Sequence, residues 1–312
     1  MNFKSFGDLA RDIAANLWKV PRDIDLVVGI PRSGLMAASI LALQLNKRFC
    51  DIRAFVENRP LATGHTRRPD GEFTHPHDAR RVLVIDDSVD SGSSIAAARA
   101  ELAPLAAGRE LVFGAVYVHT HSAGHVELAL ERVEMPRVFA WNLFHRVELQ
   151  NFCVDIDGVL CGDPSGAEND DGQRYAAFLA NARPMARPSY PIGHLVSSRL
   201  ERYRQHTVDW LDAHGIRFNH LHLLDLPSAA ERRRQGCHAR FKAEVYRSLE
   251  ESALFIESEP AQAAEIARLS GKPVLDYANQ RIVPATWNGA YLSARGVSLR
   301  RRVVRRLQQA LQ

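Results

Sequence analysis

Cysteine, methionine and tryptophan are scarce in this 312-residue chain, with four of each. Cys50, Cys153, Cys161 and Cys237 form no C-x-x-C pair, which excludes a disulfide scaffold and suits a reducing, cytoplasmic compartment. No apolar run approaches the ~20 residues that cross a bilayer; the best, Leu111 to Val118, is strand-sized. The first eight residues lack the apolar stretch of a signal peptide. Low-complexity linkers and internal repeats are absent. Acidic residues are missing from Trp287 to Gln312, which holds six arginines, so within a net charge of +4 a tail of +6 hides a body of −2. Such a body is not a basic nucleic-acid binder, and attraction to anions is concentrated at one end.

What is present reads as an ordinary soluble α/β chain, 46% hydrophobic and 24% charged, and long enough for two domains that each bury a core. In the first half, Phe6, Leu9, Ile13 and Leu17 mark a helical face that Ser5 caps and Pro21 stops. Asp25 to Gly29 is a buried strand, followed by a tight turn and an apolar helix from Gly34 to Leu45. Residues Glu57 to Asp78 form a non-periodic loop, long enough to suggest function. Arg81 to Ile85 is a strand, its turn opens a helix ending near Leu102, and Leu111 to Val118 is a further strand. A second series begins at Phe152. It has strands at Ile192 to Val196 and Leu254 to Ile256, and helices near Tyr175 to Leu179, Arg202 to His214 and Ala261 to Leu269. The alternation predicts two parallel-sheet α/β domains, 1–150 and 151–285, with a tail over 286–312.

In open α/β sheets, ligands sit beyond the carboxyl ends of the strands, where helix N-termini offer N–H groups to anions. Two turns of the first half fit that use. Val27-Val-Gly-Ile-Pro-Arg-Ser-Gly34 allows close backbone approach and adds the charge of Arg32, which suits a pyrophosphate. Val82-Leu-Val-Ile-Asp-Asp-Ser-Val-Asp-Ser-Gly-Ser-Ser94 puts Asp86 and Asp87 at a strand end, before a small polar run able to wrap a phosphate monoester. The acid pair suits hydroxyls or Mg²⁺. The second segment resembles the phosphoribosyl-pyrophosphate (PRPP) fingerprint of type I phosphoribosyltransferases, and the first resembles their pyrophosphate loop. The loop Glu57 to Asp78 stands where that family has its catalytic hood. The resemblance implies that Ile30, Pro31, Arg32, Ser33 and Gly34 hold pyrophosphate with Mg²⁺. It also implies that Asp86 and Asp87 bind the ribose hydroxyls and that Ser91, Gly92, Ser93 and Ser94 bind the 5-phosphate. Asp90 stands where purine-type members place a base, and it otherwise orients the loop. Arg59, His65, Arg67 and Arg68 would screen the departing pyrophosphate, and Trp141 either stacks on an acceptor or belongs to the core.

The second half carries Phe152-Cys-Val-Asp155-Ile-Asp157-Gly-Val-Leu160, two carboxylates two residues apart at a strand end. One can attack phosphorus while the other, protonated, delivers a proton to the leaving alcohol. This segment resembles the first motif of haloacid-dehalogenase-like phosphatases. Leu195-Val-Ser197-Ser-Arg199 is similar to the second motif, Lys242 stands at the lysine position, and Glu257-Ser-Glu259 stands at the acidic metal-binding motif. The resemblance implies Asp155 as nucleophile, Asp157 as acid/base, and Ser197 with Lys242 as the phosphoryl clamp. Asp155, Asp157, Glu257 and Glu259 are its candidate Mg²⁺ ligands, with glutamates where the family has aspartates. About 30 residues separate Gly162 from Ile192, room for a small cap only. Both folds would then be Rossmann-like, a phosphoribosyltransferase fold followed by a haloacid-dehalogenase-like one.

Joined, the two chemistries transfer phosphoribose from PRPP and then remove the 5-phosphate. That sum suits ribofuranose built onto a saccharide or lipid-linked glycan at the inner face of a membrane, with no nucleic acid involved. In the tail, Leu299, Val303, Leu307 and Leu311 share a face apart from most arginines, so it either lies on an anionic membrane or docks on the body. Nucleobase phosphoribosylation with nucleotidase activity, and a PRPP-sensing regulator, are the alternatives. Acceptor, linkage and oligomeric state are left open.

Overall fold

The computed structural model describes residues 1–285 other than Thr63, His65, Arg67 and Arg68. The expected tail, 286–312, and three of the expected hood residues lie outside the described residues. The chain divides into two compact units, Met1–Trp141 and Asn142–Gln312.

The first unit runs β1 (Asn2–Lys4), α1 (Phe6–Ala15), β2 (Leu26–Gly29), α2 (Gly34–Leu45), β3 (Arg48–Asp51), α3 (Ile52–Val56), β4 (Arg81–Ser88), α4 (Ser93–Leu102), β5 (Glu110–Val118), β6 (Leu128–Arg132) and β7 (Arg137–Phe139). Ser5 opens α1 with a capping box: its hydroxyl accepts from the Asp8 N–H, and the Asp8 carboxylate accepts from the Ser5 N–H. Leu9 and Ile13 are buried, but the helix stops at Ala15, and Leu17 starts a 3₁₀ turn well before Pro21. Five strands form a parallel sheet in the order β3-β2-β4-β5-β6. Alternation along its strands splits the core. Val27, Leu83 and Val116 pack on one face with Leu9, Ile13 and Leu41. Leu26, Val28, Val82 and Val84 pack on the other with Phe55, Ile95 and Leu102. Each fully buried side chain of this kind contributes about 1.5–3 kcal/mol. β1 and β7 pair separately as a parallel ribbon, Phe3 opposite Val138.

The second unit runs β8 (Phe152–Val154), α5 (Gln173–Asn181), β9 (Ile192–Leu200), α6 (Arg204–Ala213), β10 (Phe218–Leu224), α7 (Ala229–Gln235), α8 (His238–Ser248), β11 (Leu254–Glu257), α9 (Pro260–Ser270), β12 (Val274–Asp276) and β13 (Arg281–Val283). Its sheet has the order β10-β9-β8-β11-β12-β13. β13 runs antiparallel to β12, so this sheet is mixed, which corrects the expectation of a wholly parallel one. β9 continues to Leu200 rather than ending at Val196, carrying Ser197, Ser198 and Arg199 within the strand. All four cysteines are free thiols. Among the described residues no helix is long and apolar enough to cross a membrane.

Candidate active sites

In the first unit the strand order reverses direction between β2 and β4, the point where open α/β sheets leave a crevice at their carboxyl ends. Both expected anion turns emerge there. After β2 the chain makes the turn 30–33, with Arg32 exposed and the Pro31–Arg32 peptide cis. The Ile30 side chain is buried in the core, so that residue has only backbone to offer. Gly34 begins α2 against β4: a Cβ there would stand 2.9 Å from both the Asp86 carboxylate and the Ile85 carbonyl. Only glycine permits this approach.

Asp86 and Asp87 are 7% and 4% exposed. Ser33 donates its hydroxyl to one Asp87 oxygen at 2.7 Å, and the Trp141 indole N–H donates to the other at 2.7 Å. The Asp87 N–H donates to Asp86 at 2.8 Å. These donors are neutral, and among the described residues no cationic side chain pairs with either acid. Burial, and then the charge of Asp87, push the Asp86 pKa up to about 8. A buried acid pair short of donors fits the hydroxyls of a diol and a divalent cation, so its chemistry suits Mg²⁺.

β4 leads into Asp90 and the run Ser91 to Ser94, of which only Gly92 is buried. Gly92 adopts φ +78, and a Cβ on it would meet the His125 ring at 2.5 Å. The turn delivers the N-terminus of α4, whose first N–H groups point outward without backbone partners. Ser91 donates to the Ser93 hydroxyl at 3.1 Å. Asp90 lies 3.0 Å from the His119 ring at the end of β5, a partner the sequence reading missed. Arg59 is engaged by Glu57 at 3.0 Å and Asp51 at 3.9 Å. Trp141 belongs to an aromatic stack, 4.8 Å from the Phe139 ring at 11°. It thus serves the core and Asp87 together.

In the second unit the order reverses between β8 and β11, and a cavity of about 290 Å³ opens there, lined by Asp155, Asp157, Ser197, Arg199, Lys242 and Glu257 among others. Lys242, from α8, donates to Asp155 at 2.7 Å and to Glu257 at 2.7 Å. All three are almost wholly buried. Burial favours neutral Lys242, but the two carboxylates outweigh it and hold the ammonium charged. One ammonium cannot balance two acids, so burial keeps the Asp155 pKa well above the ordinary range. Arg199 grips Asp157 through Nε at 3.1 Å and Nη2 at 2.7 Å. Burial alone would raise Asp157; the Arg199 charge and hydrogen bonds overcome it and lower its pKa. Asp157 is therefore ionised here, unlike the protonated acid expected of it. Ser197 is buried, and its hydroxyl accepts from the Arg199 N–H at 3.3 Å.

The four expected metal ligands do not converge. Asp155 and Glu257 share Lys242, Asp157 is held by Arg199, and Glu259 caps α9 by accepting from the Gln262 N–H at 2.8 Å. Among the described residues no group of three or more His, Cys, Asp and Glu side chains is placed to hold a metal. As arranged, this unit does not fit Mg²⁺.

Residues 2–135 match the family model of the phosphoribosyl transferase domain. No curated protein matches the chain. Among solved structures it is similar to the Helicobacter pylori xanthine-guanine-hypoxanthine phosphoribosyltransferase, at 16% identity over 46% of this chain and 92% of that one, TM-score 0.35. It is also similar to a Pyrococcus horikoshii purine phosphoribosyltransferase, at 21% over 45% and 92%, TM-score 0.32. An Aeropyrum pernix orotate phosphoribosyltransferase gives 20% over 41% and 70%, TM-score 0.29.

Proposed function

We propose that the chain is a bifunctional enzyme: the first unit transfers 5-phosphoribosyl from PRPP to a saccharide hydroxyl, and the second hydrolyses the 5-phosphate to leave ribofuranose. The observation that carries the transfer step is the pair of anion-cradling turns at the β2/β4 reversal with an under-compensated acid pair between them. PRPP would lie with its pyrophosphate on residues 30–34, its 2- and 3-hydroxyls donating to Asp86 and Asp87, and its 5-phosphate on Ser91 to Ser94. Mg²⁺ beside Asp86 and Asp87 would supply charge neutralisation for the leaving pyrophosphate. Arg32 adds positive charge where negative charge develops as the bond from the anomeric carbon to pyrophosphate breaks. The acceptor oxygen forms the new bond from the opposite face and loses its proton. Asp90, oriented by His119, is the candidate to receive it.

In the second unit, Asp155 attacks phosphorus, the bond to O5 breaks, and water then hydrolyses the acyl phosphate. Lys242 stays charged beside Asp155 and offsets the incoming phosphate, with Ser197 available as a donor. Asp157 is ionised beside Arg199. Once ligand entry draws Arg199 off its carboxylate, Asp157 first takes up the proton that Asp155 gives up on becoming the nucleophile, and then passes it to the sugar oxygen. The support for this half is the convergence of Asp155, Lys242 and Glu257 on one cavity at the β8/β11 reversal.

The test is incubation with PRPP, Mg²⁺ and panels of glycans and nucleobases, read by mass spectrometry. The wild type adds ribose to a glycan, and Asp155→Asn adds phosphoribose. Phosphoribose found only on a base moves the assignment to nucleobase salvage. An absence of pyrophosphate release with every acceptor overturns the transfer step, and a dephosphorylated product from Asp155→Asn overturns the sequential scheme.

A further inference from the structure

The cavity of the second unit has a side that the proposed phosphoryl chemistry leaves unused, formed by Ser198, Arg232 and Gln262. Arg232, on α7, is 7% exposed. Its Nη1 donates to the Ser198 carbonyl at 2.6 Å, and its side chain also hydrogen-bonds the Tyr175 hydroxyl of α5. The other two strong cations of the cavity are spoken for, Arg199 by Asp157 and Lys242 by Asp155 and Glu257. Among the described residues no carboxylate pairs with Arg232. Its Nε, the Ser198 hydroxyl and Gln262 Oε1 are all buried without a hydrogen-bond partner.

Buried polar atoms are rarely left unsatisfied, and a buried cation without a counter-ion is costlier still. Three such atoms around one cavity describe a missing occupant. The N–H of Arg232 and the O–H of Ser198 are donors, which suit anionic oxygens; Gln262 Oε1 is an acceptor, which suits a hydroxyl. The volume, about 290 Å³, is at the small end for ligand pockets, room for a phosphorylated monosaccharide rather than a nucleotide.

We infer that Arg232 and Ser198 form an anion-recognition subsite of this cavity, with Gln262 receiving a substrate hydroxyl, and that the occupant is a compact phosphorylated polyol. The inference deepens the phosphomonoesterase reading and rests on it for the substrate class, but the donor geometry stands apart from turnover. Arg232 and Ser198 thereby select the ligand, while Asp155 and Lys242 act on it.

The experiment is thermal unfolding of the full chain with and without inorganic phosphate. It is done in a Ser94→Glu background, which places a carboxylate in the first unit's own phosphate cradle. Phosphate raises the melting temperature of Ser94→Glu. Adding Arg232→Gln, which takes away the charge together with the bond to the Ser198 carbonyl, removes that rise and weakens phosphate at least tenfold. Without phosphate the Arg232→Gln protein melts no lower than its parent, because relief of an uncompensated buried charge offsets the lost Ser198 bond. Three outcomes overturn the subsite: no rise in the parent, an equal rise in both, or a lower melting point of phosphate-free Arg232→Gln, which marks a structural arginine satisfied by water. Phosphate binding that depends on Arg232, together with no turnover of ribose 5-phosphate by the wild type, keeps the subsite and sinks the phosphomonoesterase reading instead.

Discussion

Trp141 donates its indole N–H to Asp87 at 2.7 Å while its ring stacks on Phe139 at 4.8 Å. One side chain thus couples the aromatic core of the first unit to the carboxylate that would read a ribose hydroxyl. Trp141→Phe keeps the stack and deletes the donor. A hydrogen bond to a charged group is worth about 1.5–3 kcal/mol, so PRPP affinity should fall about tenfold or more in calorimetric titration. An unchanged affinity would show that Asp87 is held well enough by Ser33 alone.

Burial, and then the charge of Asp87, push the Asp86 pKa up to about 8 in the folded chain, above its ordinary value. The folded state therefore binds more protons than the unfolded one between about pH 4 and 8, and this site's contribution to stability falls as pH rises through that window. Asp86→Asn removes the slope. Urea midpoints of variant and wild type should coincide below pH 4 and separate in the variant's favour by pH 8. Parallel profiles would refute the assignment.

Gly34→Ala puts a methyl group 2.9 Å from the Asp86 carboxylate and the Ile85 backbone. Since β4 cannot yield without breaking its ladder to β2, the cost should reach about 1–3 kcal/mol, with PRPP binding lost at the same time. Denaturant titration and calorimetry read the two effects. Full binding in a stable variant would mean that α2 can shift away from β4.

Lys242→Met leaves Asp155 and Glu257 buried without their shared cation. Removing one partner of such a group costs about 3–5 kcal/mol, visible as a lower urea midpoint at pH 7. Adding Glu257→Gln relieves one of the two charges and should restore part of the loss. If the double variant is no more stable than the single one, the damage comes from packing of α8 rather than from charge.

Apolar runs bounded by turn residues were readable directly from sequence. α2 begins and ends at the expected residues, and β4 and β5 extend theirs by three residues and one. The short or half-polar pieces were not: β3 lies at a sheet edge with no buried residue, and β10 carries Asn219, His220 and His222 where a buried strand would carry valine. α7, with three arginines and a glutamate in seven residues, shows little apolar face; α8 does have one, with Ala243 and Tyr246 buried on it, and the sequence reading passed over it. At the second cavity, the resemblance to phosphatase motifs anticipated Asp155, Lys242 and Glu257, which the fold brings together. It said nothing of Arg199 reaching back 42 residues to Asp157, because pairing across a sheet has no local signature. Glu259 did carry a signal: an acid directly before Pro260, at the start of a helix, is an N-cap pattern, and capping is what it does.

The β1–β7 ribbon sets a limit on how the first unit can be excised. The family match ends at residue 135, yet Phe3 pairs with Val138 and Trp141 grips Asp87. A fragment cut at that boundary would strip β1 of its neighbour, expose the stack and slacken the acid pair, and its silence with PRPP would say nothing about the intact chain. Six more residues, through Trp141, restore all three.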